Sequence, residues 1–108
     1  RVLIVGDLND SLTDPVEHNV FTTLIEDSDS YRFADMDIAE GADSDWSFPS
    51  YPSHIDHIVL TDELFEATSQ EGSAVSSIFV DQKFFDGWWD YQRDVSDHRP
   101  VGLRLDLR

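Results

Sequence analysis

The sequence lacks cysteine and has few basic residues. Without cysteine, disulfides, zinc fingers, cysteine nucleophiles and iron–sulfur clusters are all excluded. Lys and Arg number seven against 23 Asp and Glu, which gives a formal net charge of −16. Unaided binding to duplex DNA is disfavoured, because it needs clustered cations to replace phosphate counterions. No apolar run approaches the ~20 residues of a membrane-spanning helix.

The composition is that of one small globular domain. Hydrophobic residues make up 40% and aromatic residues 12% of the 108 positions, which argues against a collagenous or disordered chain. The acidity has two compatible interpretations. The acidic residues can be a solubility or salt adaptation spread over the surface, a sign of cation binding, or both.

Apolar patterning predicts the secondary structure. The apolar run at 2–6 predicts a central strand covered on both faces, and alternation over 99–107 predicts a closing strand. Because domains usually begin in polar residues, we expect residues 1–108 to be the C-terminal part of one larger domain. Any targeting signal would lie upstream, and the acidic composition suggests a secreted or periplasmic location. Between the ends we predict a helix at 15–26, a long loop at 27–47, strands at 55–60 and 74–81, and an aromatic, helical or irregular segment at 84–92.

Two further features of the chain have more than one interpretation. The acidic residues of the predicted loop suggest a Ca²⁺-binding module, but EF-hand spacing fails and a solvated loop is the simpler interpretation. They are Asp27, Asp29, Asp35, Asp37, Glu40, Asp43 and Asp45. Several aromatic residues could form an exposed rim that stacks on bases or touches lipid, although core positions are the simpler interpretation. They are Trp46, Phe48, Tyr51, Trp88, Trp89 and Tyr91.

The first candidate motif, Gly6-Asp7-Leu8-Asn9, directly follows the first predicted strand. Asp7 and Asn9 are two residues apart, so in an extended chain their side chains emerge on the same face. A carboxylate and an amide placed there can orient water and hold a phosphate oxygen. The alternative is an ordinary polar turn at a strand end.

Two further motifs contain His and Asp together. Asp56 interrupts the apolar strand at 55–60, and a buried carboxylate needs a partner such as a histidine. His54 and His57 nearby are interpreted as ordinary surface or strand histidines.

In Ser96-Asp97-His98-Arg99-Pro100-Val101, adjacent side chains point apart, so Asp97 can face a cation while His98 pairs elsewhere. The alternative is a turn that enters the last strand.

Taken in order, Gly-Asp-Leu-Asn, Ile-Asp-His-Ile and Ser-Asp-His-Arg-Pro-Val resemble the C-terminal signatures of the endonuclease/exonuclease/phosphatase (DNase I-like) superfamily. The stretch from Trp46 to Ser50 is also similar to members of that family. The resemblance spans nearly the whole chain. It implies an α/β (α+β) fold that is the C-terminal half of a four-layer α/β/β/α sandwich, with one mostly antiparallel sheet and helices on one face.

The resemblance implies a metal-dependent phosphoesterase, a nuclease or a lipid or sugar phosphate phosphatase, that uses Mg²⁺, Mn²⁺ or Ca²⁺. Asp7 would orient or deprotonate the attacking water, and Asn9 would hydrogen-bond the scissile phosphate. His98 would contact the phosphate, and Asp56 would pair with His98 and fix its tautomer. Asp97 would be a metal ligand, consistent with the preference of hard cations for oxygen.

The chain departs from the family because the first half, with its Asn and Glu of the metal site, has no counterpart here. We therefore expect the chain to be incomplete as an enzyme. Its inner apolar face would need the missing half or a second copy as a packing partner. The predicted face consists of Val2, Ile4, Ile58, Leu60, Val101 and Leu103. A non-catalytic binding relative is the alternative, but the presence of all five polar site residues argues against it.

Overall fold

The computed structural model describes all residues, Arg1–Arg108, as a small α+β structure with two antiparallel sheets. The strands are β1 (Leu3–Asp7), β2 (Tyr31–Phe33), β3 (Asp56–Thr61), β4 (Ala74–Ser77) and β5 (Val101–Arg104). The helices are α1 (Thr22–Glu26), α2 (Met36–Ala39), α3 (Phe65–Thr68) and α4 (Trp88–Asp94). Short 3₁₀ turns occur at Asp43–Asp45, Asp62–Leu64 and Val80–Lys83. None of the helices has the length and apolar character needed to cross a membrane.

The three-stranded sheet has the order β1-β3-β2, and β4 pairs with β5 in a separate two-stranded sheet. In the larger sheet Leu3 lies opposite Leu60, and Asp7 lies opposite Asp56. The second sheet aligns Ser77 with Val101. The expectation of mostly antiparallel pairing is confirmed, but the strands form two sheets rather than one.

The core packs one face of β3 against α1, α2 and the segment after β1. Its buried apolar residues are Leu12, Phe21, Phe33, Ala39 and Val59. The Phe21 and Phe33 rings meet edge to face at 5.4 Å between centroids, a favoured aromatic geometry. β3 is the central strand of this sheet, and four of its residues are buried.

The prediction that the first strand is central and covered on both faces is wrong. β1 is an edge strand, and all five of its residues are exposed. A continuous apolar run is found in strands that the same chain covers on both faces, and also in strands that these residues leave exposed. Periodicity cannot distinguish the covered strand from the exposed one. An apolar groove of about 350 Å³ lies between β1 and β5. It is lined by Leu3, Val5, Ile58, Val101, Leu103 and Leu105. Ile58, Val101 and Leu103 are confirmed in this face. Val2, Ile4 and Leu60 are not part of it, and Leu60 is fully buried.

The helix predicted over 15–26 is confirmed only at Thr22–Glu26. Asn19 interrupts it, because its side-chain amide donates to the carbonyls of Leu12 and Asp14 and its side-chain oxygen accepts from the Phe21 amide. Such side-chain bonds compete with helical ones. The segment at 27–47 is not a featureless loop, since it contains β2 and α2. β2 has three residues, too few for a periodic signal.

Other boundaries are close to prediction but shorter. The predicted strand at 74–81 ends at Ser77, and the predicted strand at 99–107 is confined to Val101–Arg104. The aromatic segment at 84–92 is helical only from Trp88, and it then continues to Asp94.

Candidate functional site

The hydrogen bond between His98 and Asp56 is the centre of the candidate site. The two atoms that meet, Nδ1 of His98 and Oδ2 of Asp56, are 2.6 Å apart. Both side chains are partly buried, with relative exposures of 24% and 20%, so they contact each other while remaining open on one side. Asp56 begins β3, and His98 lies in the turn before β5, so the fold joins residues 42 positions apart in the chain. This pairing is the one that the family resemblance implies.

Asp7 and Asn9 lie beside this pair. Asp7 ends β1 directly opposite Asp56, and its Oδ2 is 3.9 Å from Nε2 of His98. Asp7 Oδ1 accepts the backbone N–H of Asn9 at 2.9 Å. Asn9 has a φ of 55°, a left-handed conformation that asparagine tolerates better than most residues. The turn thus holds Asn9 next to the Asp7 carboxylate.

Three carboxylates surround one imidazole. The Oδ1 atom of Asp97 is 3.8 Å from Nε2 of His98, on the same side as Asp7. Partial burial would lower the pKa of His98, but the hydrogen bond to Asp56 and the charges of Asp56, Asp7 and Asp97 outweigh it and raise the pKa. Like charges directly opposite on paired strands repel, so Asp7 and Asp56 favour a cation between or beside them.

The cluster could accommodate a metal ion from its own donor set. One ligand atom each of Asp7, Asp56 and His98 lies within 4.8 Å of the others. Asp7 and Asp97 have half-exposed side chains, and no Lys or Arg side chain pairs with either of them. Exposed carboxylate oxygens without basic partners suit a hard cation such as Mg²⁺, which keeps several waters.

A cleft of about 410 Å³ opens beside Asp56 and His98. Its lining is mixed, with Val5, Ile58 and Val101 as apolar members and Ser96 and Arg99 as polar ones. A Cβ added at Gly6 would meet nothing within 4 Å, so glycine adds to the open space on this side of the cleft.

His54 and His57 are not ordinary surface or strand histidines, contrary to the sequence interpretation. Both are buried, and both contact the fully buried Asp35 from the predicted solvated loop. The Asp35 Oδ2 atom is 2.9 Å from Nε2 of His54 and 2.7 Å from Nδ1 of His57. Asp35 Oδ1 accepts the Ile58 amide at 2.8 Å. By contrast, Asp37, Glu40, Asp43 and Asp45 are exposed as expected.

The protonation of this buried network follows from its partners. Burial alone would raise the pKa of Asp35, but hydrogen bonds from His54, His57 and the Ile58 amide outweigh it and lower the pKa to about 2. Burial likewise opposes the charging of His57, but its contacts with Asp35 and the Asp10 carbonyl raise its pKa. Because both ring nitrogens of His57 face acceptors, they both donate, and His57 is a buried imidazolium paired with Asp35.

This second His/Asp cluster is structural. The Ser47 amide donates to Nδ1 of His54, which places the proton of the neutral ring on Nε2, where it is donated to Asp35. A metal ion in this cluster would need the lone pair of Nε2, which is not available while Nε2 carries the proton. The chain leaves no buried side-chain polar atom without a partner, so the network is closed by hydrogen bonds alone.

The predicted aromatic rim is divided between surface and interior. Tyr91 is buried, and its hydroxyl donates to the His98 carbonyl at 2.8 Å. Tyr51 and Trp89 are exposed, with relative exposures of 80% and 70%. The Phe48 ring lies 5.0 Å from the His98 imidazole. Tyr91 and Phe48 thus support the site, a role that spacing alone did not reveal.

Comparisons with protein-family models, curated proteins and solved structures gave no match to this chain.

Proposed function

We propose that this domain is the C-terminal half of a metal-dependent phosphoesterase of the DNase I-like superfamily. The proposal depends on one observation, that the three motifs resembling the superfamily converge. Asp7, Asp56 and His98 come from separate motifs, and one ligand atom of each lies within 4.8 Å of the others. Asp56 and His98 also line one cleft.

The geometry supports hydrolysis of a phosphodiester or phosphomonoester by an activated water. His98 donates from Nδ1 to Asp56 and, when protonated, presents an Nε2–H donor to a phosphate oxygen. Asp7 lies on the Nε2 side, where its free carboxylate oxygen can accept a proton from the attacking water. Asn9 is held next to Asp7 and would hydrogen-bond the scissile phosphate.

Asp97 would be a ligand of the metal ion, with Mg²⁺ or otherwise Mn²⁺ or Ca²⁺ as the candidates. Bound there, the ion would neutralise charge that develops on the phosphate oxygens. Hydrogen-bond donors already oriented in the cleft would stabilise the same developing charge, because they need no rearrangement during the reaction. The substrate class within phosphate esters, whether nucleic acid, phospholipid or sugar phosphate, is open.

The four-layer sandwich also belongs to the proposal. The apolar groove between β1 and β5 has six apolar lining residues and no polar one. Large exposed apolar surfaces usually mark interfaces. We expect a further half of the domain, or a second copy of this chain, to cover this groove and to complete the metal site.

The test is hydrolysis of bis(p-nitrophenyl) phosphate by this chain and by any longer native form, with Mg²⁺ or Mn²⁺ and with chelator. We expect metal-dependent release of p-nitrophenol by the longer form. H98A should abolish the release, and H18A, a variant of an exposed histidine, should leave it unchanged. Absence of hydrolysis in every form, also with nucleic acid, phospholipid and sugar phosphate esters, would favour a non-catalytic relative.

A further inference from the structure

We infer that Ser47 is a positioning residue that sets the geometry of the Asp56–His98 pair. Its role in catalysis rests on the proposed function, whereas its role in fixing the His98 tautomer does not. Ser47 lies between Trp46 and Phe48 and is fully buried, with a relative exposure of 0%. The stretch from Trp46 to Ser50 resembles the family, but the sequence assigns no role to Ser47 itself.

The Ser47 side chain holds the segment that carries Asp56. Its hydroxyl oxygen accepts the backbone N–H of Ile55 and the backbone N–H of Asp56, each at 3.2 Å. These two amides lie at the start of β3, where the ladder with β1 begins. One oxygen therefore fixes the backbone from which the Asp56 carboxylate projects.

The Ser47 backbone holds the segment that carries His98. Its carbonyl accepts the Arg99 amide at 2.7 Å, next to His98 in the chain. Phe48 follows directly, and its ring packs on the His98 imidazole at 5.0 Å between centroids. Phe48 is fixed in turn by a two-way backbone bridge with Ser53. A single residue thus connects both partners of the 2.6 Å hydrogen bond.

The arrangement has a chemical consequence. Asp56 accepts a hydrogen bond from Nδ1–H, so the paired imidazole is held as the Nδ1–H tautomer, with Nε2 on the side of Asp7 and Asp97. Small displacements of a catalytic group have large effects on rate. Loss of the Ser47 hydroxyl would leave two amides without an acceptor and release the Asp56 backbone, so the tautomer would no longer be fixed.

The experiment measures the ¹⁵N chemical shifts of the His98 ring by long-range ¹H–¹⁵N NMR, at a pH where the imidazole is neutral. We expect the Nδ1–H tautomer in the wild type and a mixture with Nε2–H in S47A. S47T keeps the hydroxyl and should restore the Nδ1–H form. S73A is the matched control, because the Ser73 hydroxyl also makes two backbone hydrogen bonds, to Ala67 and Asp106, away from the site.

In the active form of the enzyme, S47A should lower kcat by about 10-fold or more while KM changes little, and S73A should leave both unchanged. If S47A does not fold, S47C takes its place, since a thiol is a weak acceptor. A pure Nδ1–H tautomer in S47A or S47C would overturn the inference. The expected tautomer change, together with no phosphoesterase activity in any longer native form, would instead refute the proposed function and leave the inference standing.

Discussion

Replacement of Asp35 by asparagine is expected to destabilise the fold strongly and in a pH-dependent way. Asp35 is completely buried and is the common partner of His54, His57 and the Ile58 amide. Asparagine has nearly the same shape but no charge, so the His57 imidazolium would remain buried without its counter-ion. Breaking one side of a buried ion pair typically costs about 3–5 kcal/mol.

That loss is large against the roughly 5–15 kcal/mol that stabilises a typical domain. The lowered pKa of Asp35 gives an independent measure of how much its ionised form stabilises the fold. The pKa of Asp35 falls from an ordinary 3.8 to about 2, and one pKa unit corresponds to about 1.4 kcal/mol. Ionised Asp35 therefore contributes about 2 kcal/mol by linkage alone.

The sign of the pH dependence follows from both groups. Asp35, with its lowered pKa, stabilises the fold above pH 3.8 and loses this contribution as the pH falls through about 2. His57, with a pKa raised above 6.5, stabilises the fold below pH 6.5 and loses that contribution as the pH rises through its folded value. In D35N the raised pKa of His57 is lost, so the stability gap between the wild type and D35N should be wider at pH 6 than at pH 9.

The assay is urea unfolding at several pH values, followed by the fluorescence of the three tryptophans. D37N is the matched control, because Asp37 is exposed in α2, directly after Asp35 and Met36, and the change in net charge is identical. We expect D37N to stay within about 0.5 kcal/mol of the wild type at every pH. A D35N variant as stable as D37N, or a stability gap independent of pH, would refute the assignment of a buried ion pair.

Two further predictions concern the proposed active site. In the active enzyme, D56N should lower kcat by about 10²- to 10⁴-fold without unfolding the protein, because an asparagine cannot stabilise the His98 imidazolium; D62N, at an exposed position after β3, is the control in the same kinetic assay. Unchanged turnover in D56N would remove Asp56 from the mechanism. D97N should raise the Mg²⁺ or Mn²⁺ concentration that gives half-maximal activity, whereas D86N, at an exposed position before α4, should not. Coincident metal titrations of D97N and the wild type would exclude Asp97 as a ligand.

The sequence by itself predicted strands β1 and β3 approximately, and it singled out the polar residues that the structure brings together at the candidate site. Strands at 2–6 and 55–60 shift by a single residue in the structure, because long apolar runs give a clear signal. Asp56 needed a partner as a carboxylate in an apolar strand, and His98 is that partner. These strands and polar residues could be predicted because the signal for each lies in consecutive residues of the sequence.

Only the tertiary structure decided how distant segments meet. The acidity of the loop at 27–47 predicted a solvated segment, yet Asp35 is buried, because His54 and His57 approach it from across the fold. β1 is an edge strand rather than a central one, since pairing depends on which strands lie beside it and not on its own apolar run. Ser47 acquires its contacts from segments eight to nine and 52 positions away. Long-range hydrogen bonds leave no local pattern in the sequence, so burial and partners become visible only when the chain is folded.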